Sequence, residues 1–442
     1  MAAAAAVHAV DGEQKTLPVD EGGKDANDSR YHCVASSVAQ DRILDQTAAI
    51  ELPYFQDAQF TADGTSIIAL CKGNRLRSYV LPPDLLEPSS QPKHIVQYSE
   101  TTLGSPIQSY ATYPDYQLQD PSKTVYLAAS RDQPIKLYNA LYCNYQHASY
   151  PLIDQYTEVY LAPSSLVFGS SGQHFIAAIS DRIYAFDISR DGHGPKASCR
   201  ISSSIHMGGS TFGLIKTMSL DRYHGVLAAG SLQRNIALFE NDGLGACIAT
   251  FKLPDEHRGN GITSLGWSPD GTYLLAAERQ SDCTQVFDVR YLRRHVSVLT
   301  GRKAKTPQVL GISVSPSDEG FVLSAGGTDG MARMWSNPGR IDDTQPPDFE
   351  FKAHDNPVTS VIWHPGGAVI ATCSAVDGMP HMANVDPDNN GNTENDSDDN
   401  DESDDSIGVI PLGTQHHKVP ITPRASTSHR LAATDSLKIW SP

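Results

Sequence analysis

Short apolar runs separated by polar turns recur along most of the chain, and the stretch from Gly261 to Arg290 shows the unit most clearly. Ile262 to Trp267 is rich in β-branched and aromatic residues, a composition suited to a pleated strand buried on both faces. Ser268, Pro269, Asp270 and Gly271 predict a turn: Pro269 presets φ, Asp270 tolerates the bend, and Gly271 has no side chain to restrict it. Tyr273 to Ala277 restarts an apolar strand, a polar turn holds Asp282, and Thr284 to Phe287 makes a third strand.

The unit repeats. A first copy runs from Ala58 through the Ala62-Asp63-Gly64 turn, Ile67 to Leu70, a turn at Gly73 and Asn74, and Leu76 to Leu81. Others hold Ile107 to Tyr138, Ser165 to Asp187, Leu214 to Phe239 and Val309 to Trp335, while Val358 to Ser374 opens a copy completed only at Trp440. The third strands end on Tyr79, Tyr138, Phe186, Phe239, Phe287, Trp335 and Trp440, at intervals of 48 to 59 residues until the last, which is 105. Blades of a repeat propeller run at ~40–45 residues. A lone four-stranded blade cannot cover its own faces, so the blades close radially and each covers the next. The expected fold is therefore all-β, a seven-bladed β-propeller of WD40 type, with Ile43 to Leu52 supplying the outer strand of the last blade.

The expected organisation has four parts. Residues 1–40 lack periodicity and read as disordered, 41–375 form the propeller, 376–430 an insertion in the last blade, and 431–442 its final strand. Asp386 to Asp405 is almost all Asp, Asn, Glu, Ser and Gly, so it cannot bury enough apolar surface to offset ordering entropy and reads as a disordered acidic loop.

Composition narrows the classes of function. The net charge of −17 argues against non-specific attachment of the whole chain to nucleic acid or anionic membrane. No apolar run of membrane-spanning length occurs, and Met1 to Ala6 is apolar but too short for the core of a secretory leader and lacks its basic region, so the expected location is nuclear or cytosolic. The seven cysteines are scattered without a Cys-x-x-Cys pair and read as buried small hydrophobes in a reducing compartment.

Candidate chemistry is sparse. His354, Thr372, Asp435 and Trp440 are spaced to form a buried hydrogen-bonded set in the last blade, and His257 with Asp282 a partial version in the fifth. Such a set superficially suggests a hydrolase triad. The structural reading prevails, because a buried indole N–H needs a partner and no Gly-x-Ser-x-Gly elbow accompanies the set. Gly326 to Gly330 lacks the Lys and helix of a phosphate loop. His416 and His417 have no second ligand pair at metal spacing. The expectation is a non-enzymatic chain, acting as a monomer, with no cofactor and no metal. One basic run stands out in so acidic a chain: Arg290, Arg293, Arg294, His295, Arg302, Lys303 and Lys305, uninterrupted by acid. These side chains suit phosphate contacts, and Tyr291 suits base stacking.

Residues Ala128 to Ala140, with the Arg131-Asp132-Gln133-Pro134-Ile135 segment, the Tyr-rich connection Tyr145 to Tyr160, Ile183 to Phe186 and Asp288 to Arg290 carry a family resemblance. The chain resembles the WD-repeat family of the telomerase Cajal-body protein, whose fungal members are linked to small nuclear RNP biogenesis. The resemblance implies a nuclear scaffold that binds small RNAs or their RNPs in RNP assembly, localisation or pre-mRNA splicing. Two alternatives stay open. Phe287 to Arg290 is similar to the Trp-Asp-x-Arg signature of substrate receptors that dock on the cullin-4 ligase adaptor. The repeats also resemble those of a signalling scaffold such as a G-protein β subunit.

Overall fold

The computed structural model describes residues 30–37, 54–201, 212–340, 344–375 and 436–442. Seven four-stranded antiparallel blades follow one another around a ring, and two of them are extended by a short parallel strand, Thr344–Gln345 beside the fifth blade and Lys93–His94 beside the seventh. Blade 1 spans 55–102, blade 2 107–150, blade 3 165–200, blade 4 215–252, blade 5 262–299, blade 6 312–352, and blade 7 begins at 358. The first strands pack against one another around the ring. Blade 7 meets blade 1 through Thr359, whose hydroxyl donates to the Phe55 carbonyl at 3.0 Å. The all-β, seven-bladed expectation holds. No helix of the described residues is long and apolar enough to cross a membrane.

Local chemistry explains the blades. In blade 5, Ile262–Trp267 pairs with Tyr273–Glu278, which pairs with Thr284–Asp288. The intervening turn is tied by Asp270, which accepts hydrogen bonds from Ser268 Oγ (2.5 Å) and Thr272 Oγ1 (2.6 Å). Gly271 there has φ +67°, a left-handed conformation that glycine adopts without steric cost. Asp63 holds the corresponding turn of blade 1 in the same way, bonded by Thr61 and Thr65.

The core lies between blades rather than within them. Phe175 and Phe186 stack at 4.8 Å with Tyr150 of the neighbouring blade edge-on to Phe175 at 5.0 Å. Burying each such ring contributes about 1.5–3 kcal/mol. Indoles stitch neighbours together: Trp267 Nε1 donates to the Ser219 carbonyl and Trp363 Nε1 to Ser324 Oγ, each at 3.0 Å.

Ring closure differs from the expectation. The outer strand of blade 7 is His32–Ser36, antiparallel to Leu437–Ser441, with Cys33 opposite Trp440 and Ala35 opposite Ile439. This strand falls inside the segment read as disordered, and the expected strand Ile43 to Leu52 lies outside the described residues. The five-residue strand is placed by packing that a hydropathy pattern does not show. Ala35 is fully buried, and Tyr31 packs on Phe351 (5.2 Å) and Phe349 (5.4 Å) of blade 6. All of the expected insertion, 376–430, also lies outside the described residues.

Candidate nucleic-acid interface

The basic run is divided by the strands that carry it. Arg290 follows the end of Thr284–Asp288, whereas Lys303 and Lys305 follow the end of the antiparallel strand Ser297–Leu299. Antiparallel pairing puts those two ends on opposite faces of the propeller.

Arg290 is exposed and forms a two-pronged pair with Asp288, Nε to Oδ1 at 2.9 Å and Nη2 to Oδ2 at 2.6 Å. That hydrogen-bonded cation holds the Asp288 carboxyl below its ordinary range. Downstream, Val289 and Leu292 pack on the blade 4–blade 5 core, and this seating turns Tyr291, Arg293 and Arg294 outward. Arg293 and Arg294 have no ion-pair partner among the described residues. With Pro254, Glu256, His257 and His295 they line an open polar cavity of about 500 Å³ at the rim of blade 5.

The remaining members of the run are engaged elsewhere. Arg302 is 1% exposed, and its guanidinium donates to the carbonyls of Glu278 (3.2 Å) and Leu310. Burial pulls its pKa down to about 10. It ties blade 5 to the start of blade 6 and is not available to a ligand at the surface, so the expectation of an RNA contact at Arg302 is corrected. Lys303 pairs with Asp329 at 3.1 Å and Lys305 with Asp282 at 3.4 Å. Asp329 also takes Arg333, and despite a rise from partial burial these hydrogen bonds keep its carboxyl well below the usual range. The turn from Gly326 to Gly330 is thus an ion-paired corner.

Blade 7 contains the buried set in modified form. Trp440 Nε1 donates to Thr372 Oγ1 at 2.8 Å, and that hydroxyl lies 2.7 Å from His354 Nε2. The other ring nitrogen, Nδ1, meets Ser436 Oγ at 3.0 Å, where Asp435 had been the expected partner. Asp435 itself lies outside the described residues. Burial, with help from the Lys438 charge, lowers the His354 pKa to about 3, so the imidazole is neutral at pH 7. The set joins Leu437–Ser441 to the blade and is closed to substrate, with His354, Thr372 and Trp440 all buried.

The partial set of blade 5 does not form. Asp282 accepts from the Ala304 amide at 2.7 Å and pairs with Lys305. His257 instead lies beside Cys283, Nδ1 to Sγ 4.0 Å, and faces His295 and Glu256. In blade 4, sequence reasoning missed Arg234, which is buried and bonded to Glu278 of blade 5 at 2.7 Å. Nothing in the local pattern marks it, since its partner is 44 residues away.

The family model "WD domain, G-beta repeat" matches residues 245–284 and 346–379. The chain is 29% identical over 309 residues to "Guanine nucleotide-binding protein negative regulator 1" of Schizosaccharomyces pombe, covering 68% of this chain and 75% of that one. It is 25% identical over 335 residues to "Telomerase Cajal body protein 1" of Rattus norvegicus, covering 75% of this chain and 60% of that longer protein. "Protein SWT21" of Kluyveromyces lactis is 24% identical over 290 residues, with 62% of this chain and 66% of that one covered. The chain carries WD repeats and is similar to the telomerase Cajal body proteins, the negative regulator and the SWT21 proteins, consistent with a WD-repeat family of these proteins.

Proposed function

We propose that this propeller is a non-enzymatic nuclear scaffold that binds small RNAs or their RNPs through the rim of blade 5 and assists their assembly, localisation or use in splicing. The observation that carries the reading is the pair Arg293 and Arg294, exposed, free of ion pairs among the described residues, and set around a polar cavity in a chain of net charge −17. Arg290, paired with Asp288, and Tyr291, an exposed ring, lie on the same connection and border this surface. Lys303 and Lys305 form a separate, partly neutralised site on the opposite face and contribute less. Guanidinium groups suit phosphate oxygens, and an exposed tyrosine suits an unstacked base. Similarity to proteins named for the telomerase Cajal body supports the small-RNP setting.

A second reading, a G-protein signalling scaffold, is favoured by the similarity to the negative regulator of S. pombe. Affinity purification of the full chain followed by RNA sequencing separates the two. A defined set of small RNAs enriched over a control propeller supports the RNP reading. Recovery of a G-protein subunit, or of the cullin-4 adaptor, without RNA enrichment contradicts it.

A further inference from the structure

Three metal-ligating side chains, two adjacent in sequence and the third distant from them, meet at the rim of blade 5. Glu256 and His257 lie on the connection leading into that blade, and His295 lies on the connection between its third and fourth strands. One donor atom from each lies within 4.8 Å of the other two. The imidazoles face each other nearly edge to face, with centroids 5.8 Å apart, and Nε2 of His295 is 3.8 Å from a Glu256 carboxylate oxygen.

These contacts do not satisfy the groups that make them. A separation of 3.8 Å exceeds a hydrogen bond. Nδ1 of His295 is buried with no hydrogen-bond partner among the described residues. A neutral imidazole has a lone pair to give, the form a metal ion requires. Cys283 Sγ stands 4.0 Å from Nδ1 of His257, beside the group.

We propose that Glu256, His257 and His295 form a binding site for a divalent transition metal, with Zn²⁺ the best match. Two imidazoles and one carboxylate are a donor set that zinc accepts in tetrahedral geometry. Bonds of about 2.0–2.2 Å put tetrahedral donors about 3.3–3.5 Å apart, so the present spacing closes by roughly 1 Å. Glu256 is 76% exposed and reaches that distance by changing rotamer. The adjoining polar cavity has room for a water as fourth ligand. Arg293 and Arg294 line the same cavity and oppose the charge of the ion, which sets the affinity below that of a closed zinc finger. The consequence is structural: the ion clamps the connection 254–259 to the connection 289–296 and so fixes the backbone that carries Arg293 and Arg294.

The test uses the full chain, stripped by chelation and titrated with Zn²⁺, with binding followed calorimetrically and by melting temperature. His416 and His417, elsewhere in the chain, are replaced by Gln in a control variant. The proposal expects one equivalent of Zn²⁺ that raises the melting temperature, is retained when His416 and His417 are replaced, and is lost in the His257→Gln, His295→Gln double variant. Glu256→Gln, at an exposed position that leaves the fold intact, should weaken this binding by at least about tenfold. Co²⁺ in place of Zn²⁺ should give the visible absorption of a tetrahedral site. Binding unchanged in both the double variant and Glu256→Gln, or no equivalent bound by the unsubstituted chain, overturns the proposal.

Discussion

Cys33 lies directly opposite Trp440 in the antiparallel pairing that closes the ring, so residues near the two ends of the chain share one blade. An N-terminal strand hydrogen-bonded to the last strand makes opening of the ring cost both the ladder and the packing of Ala35 and Tyr31. Deleting residues 1–29 should leave the melting temperature nearly unchanged, and deleting 1–37 should lower it steeply. Ala35→Asp should by itself cost at least about 2 kcal/mol by burying a carboxyl without a partner. Equal melting of the two truncations would contradict this assignment.

Thr372 serves Trp440 and His354 with one hydroxyl. Thr372→Val keeps the shape and leaves two buried polar groups unsatisfied, each costing about 1–3 kcal/mol. Chemical denaturation should therefore show a larger drop in stability for Thr372→Val than for Trp440→Phe. A smaller drop would rule out the shared hydroxyl.

His354 makes stability depend on pH. Its pKa falls from about 6.5 in the unfolded chain to about 3 in the fold, because burial disfavours the cation. The contribution is complete above the unfolded value. It then declines as pH falls, by up to about 1.4 kcal/mol per pH unit, until the folded value is reached. His354→Gln should remove that slope between pH 6 and pH 4 in urea denaturation, relative to the unsubstituted chain. An identical slope in both would refute the neutral buried imidazole.

Asp57 acts with the opposite sign. It accepts a hydrogen bond from Tyr110 at 3.1 Å across the blade 1–blade 2 boundary, and burial raises its pKa to about 6. The stabilisation is complete below about pH 4 and is lost as pH rises through 6. Asp57→Asn, which mimics the protonated acid, should stabilise the protein at pH 8 and have little effect at pH 4. Destabilisation at pH 8 would show that the ionised carboxylate is the form the fold prefers.

The blades were legible because their signals are local. The aromatic residues Tyr79 to Trp440 end third strands as their spacing implies, and Asp270 closes its turn through side chains two residues away. The closing strand was not legible. His32–Ser36 has one fully buried residue and is placed by Tyr31 against blade 6, whereas Ile43 to Leu52 is the more apolar run. At the candidate interface, the basic run was visible but its division was not. Arg302 is buried because carbonyls of Glu278 and Leu310 await it, and those partners depend on how blade 5 meets blade 6. The meeting of His257 with His295 was hidden for the same reason, since their approach is tertiary.

Binding of a small single-stranded RNA recovered with the protein, measured across a salt series for the unsubstituted chain and for Arg293→Glu, Arg294→Glu, tests the central claim most directly. Binding through phosphates weakens linearly with log salt, and removing one such cation–phosphate pair reduces the slope by ~0.7. The double variant should bind more weakly with a shallower slope and an unchanged melting temperature. Deleting Asp386 to Asp405 should raise affinity at low salt and matter less at high salt, because screening removes competition from the acidic segment. Unchanged affinity and slope in the double variant at every salt concentration would contradict an RNA surface at Arg293 and Arg294.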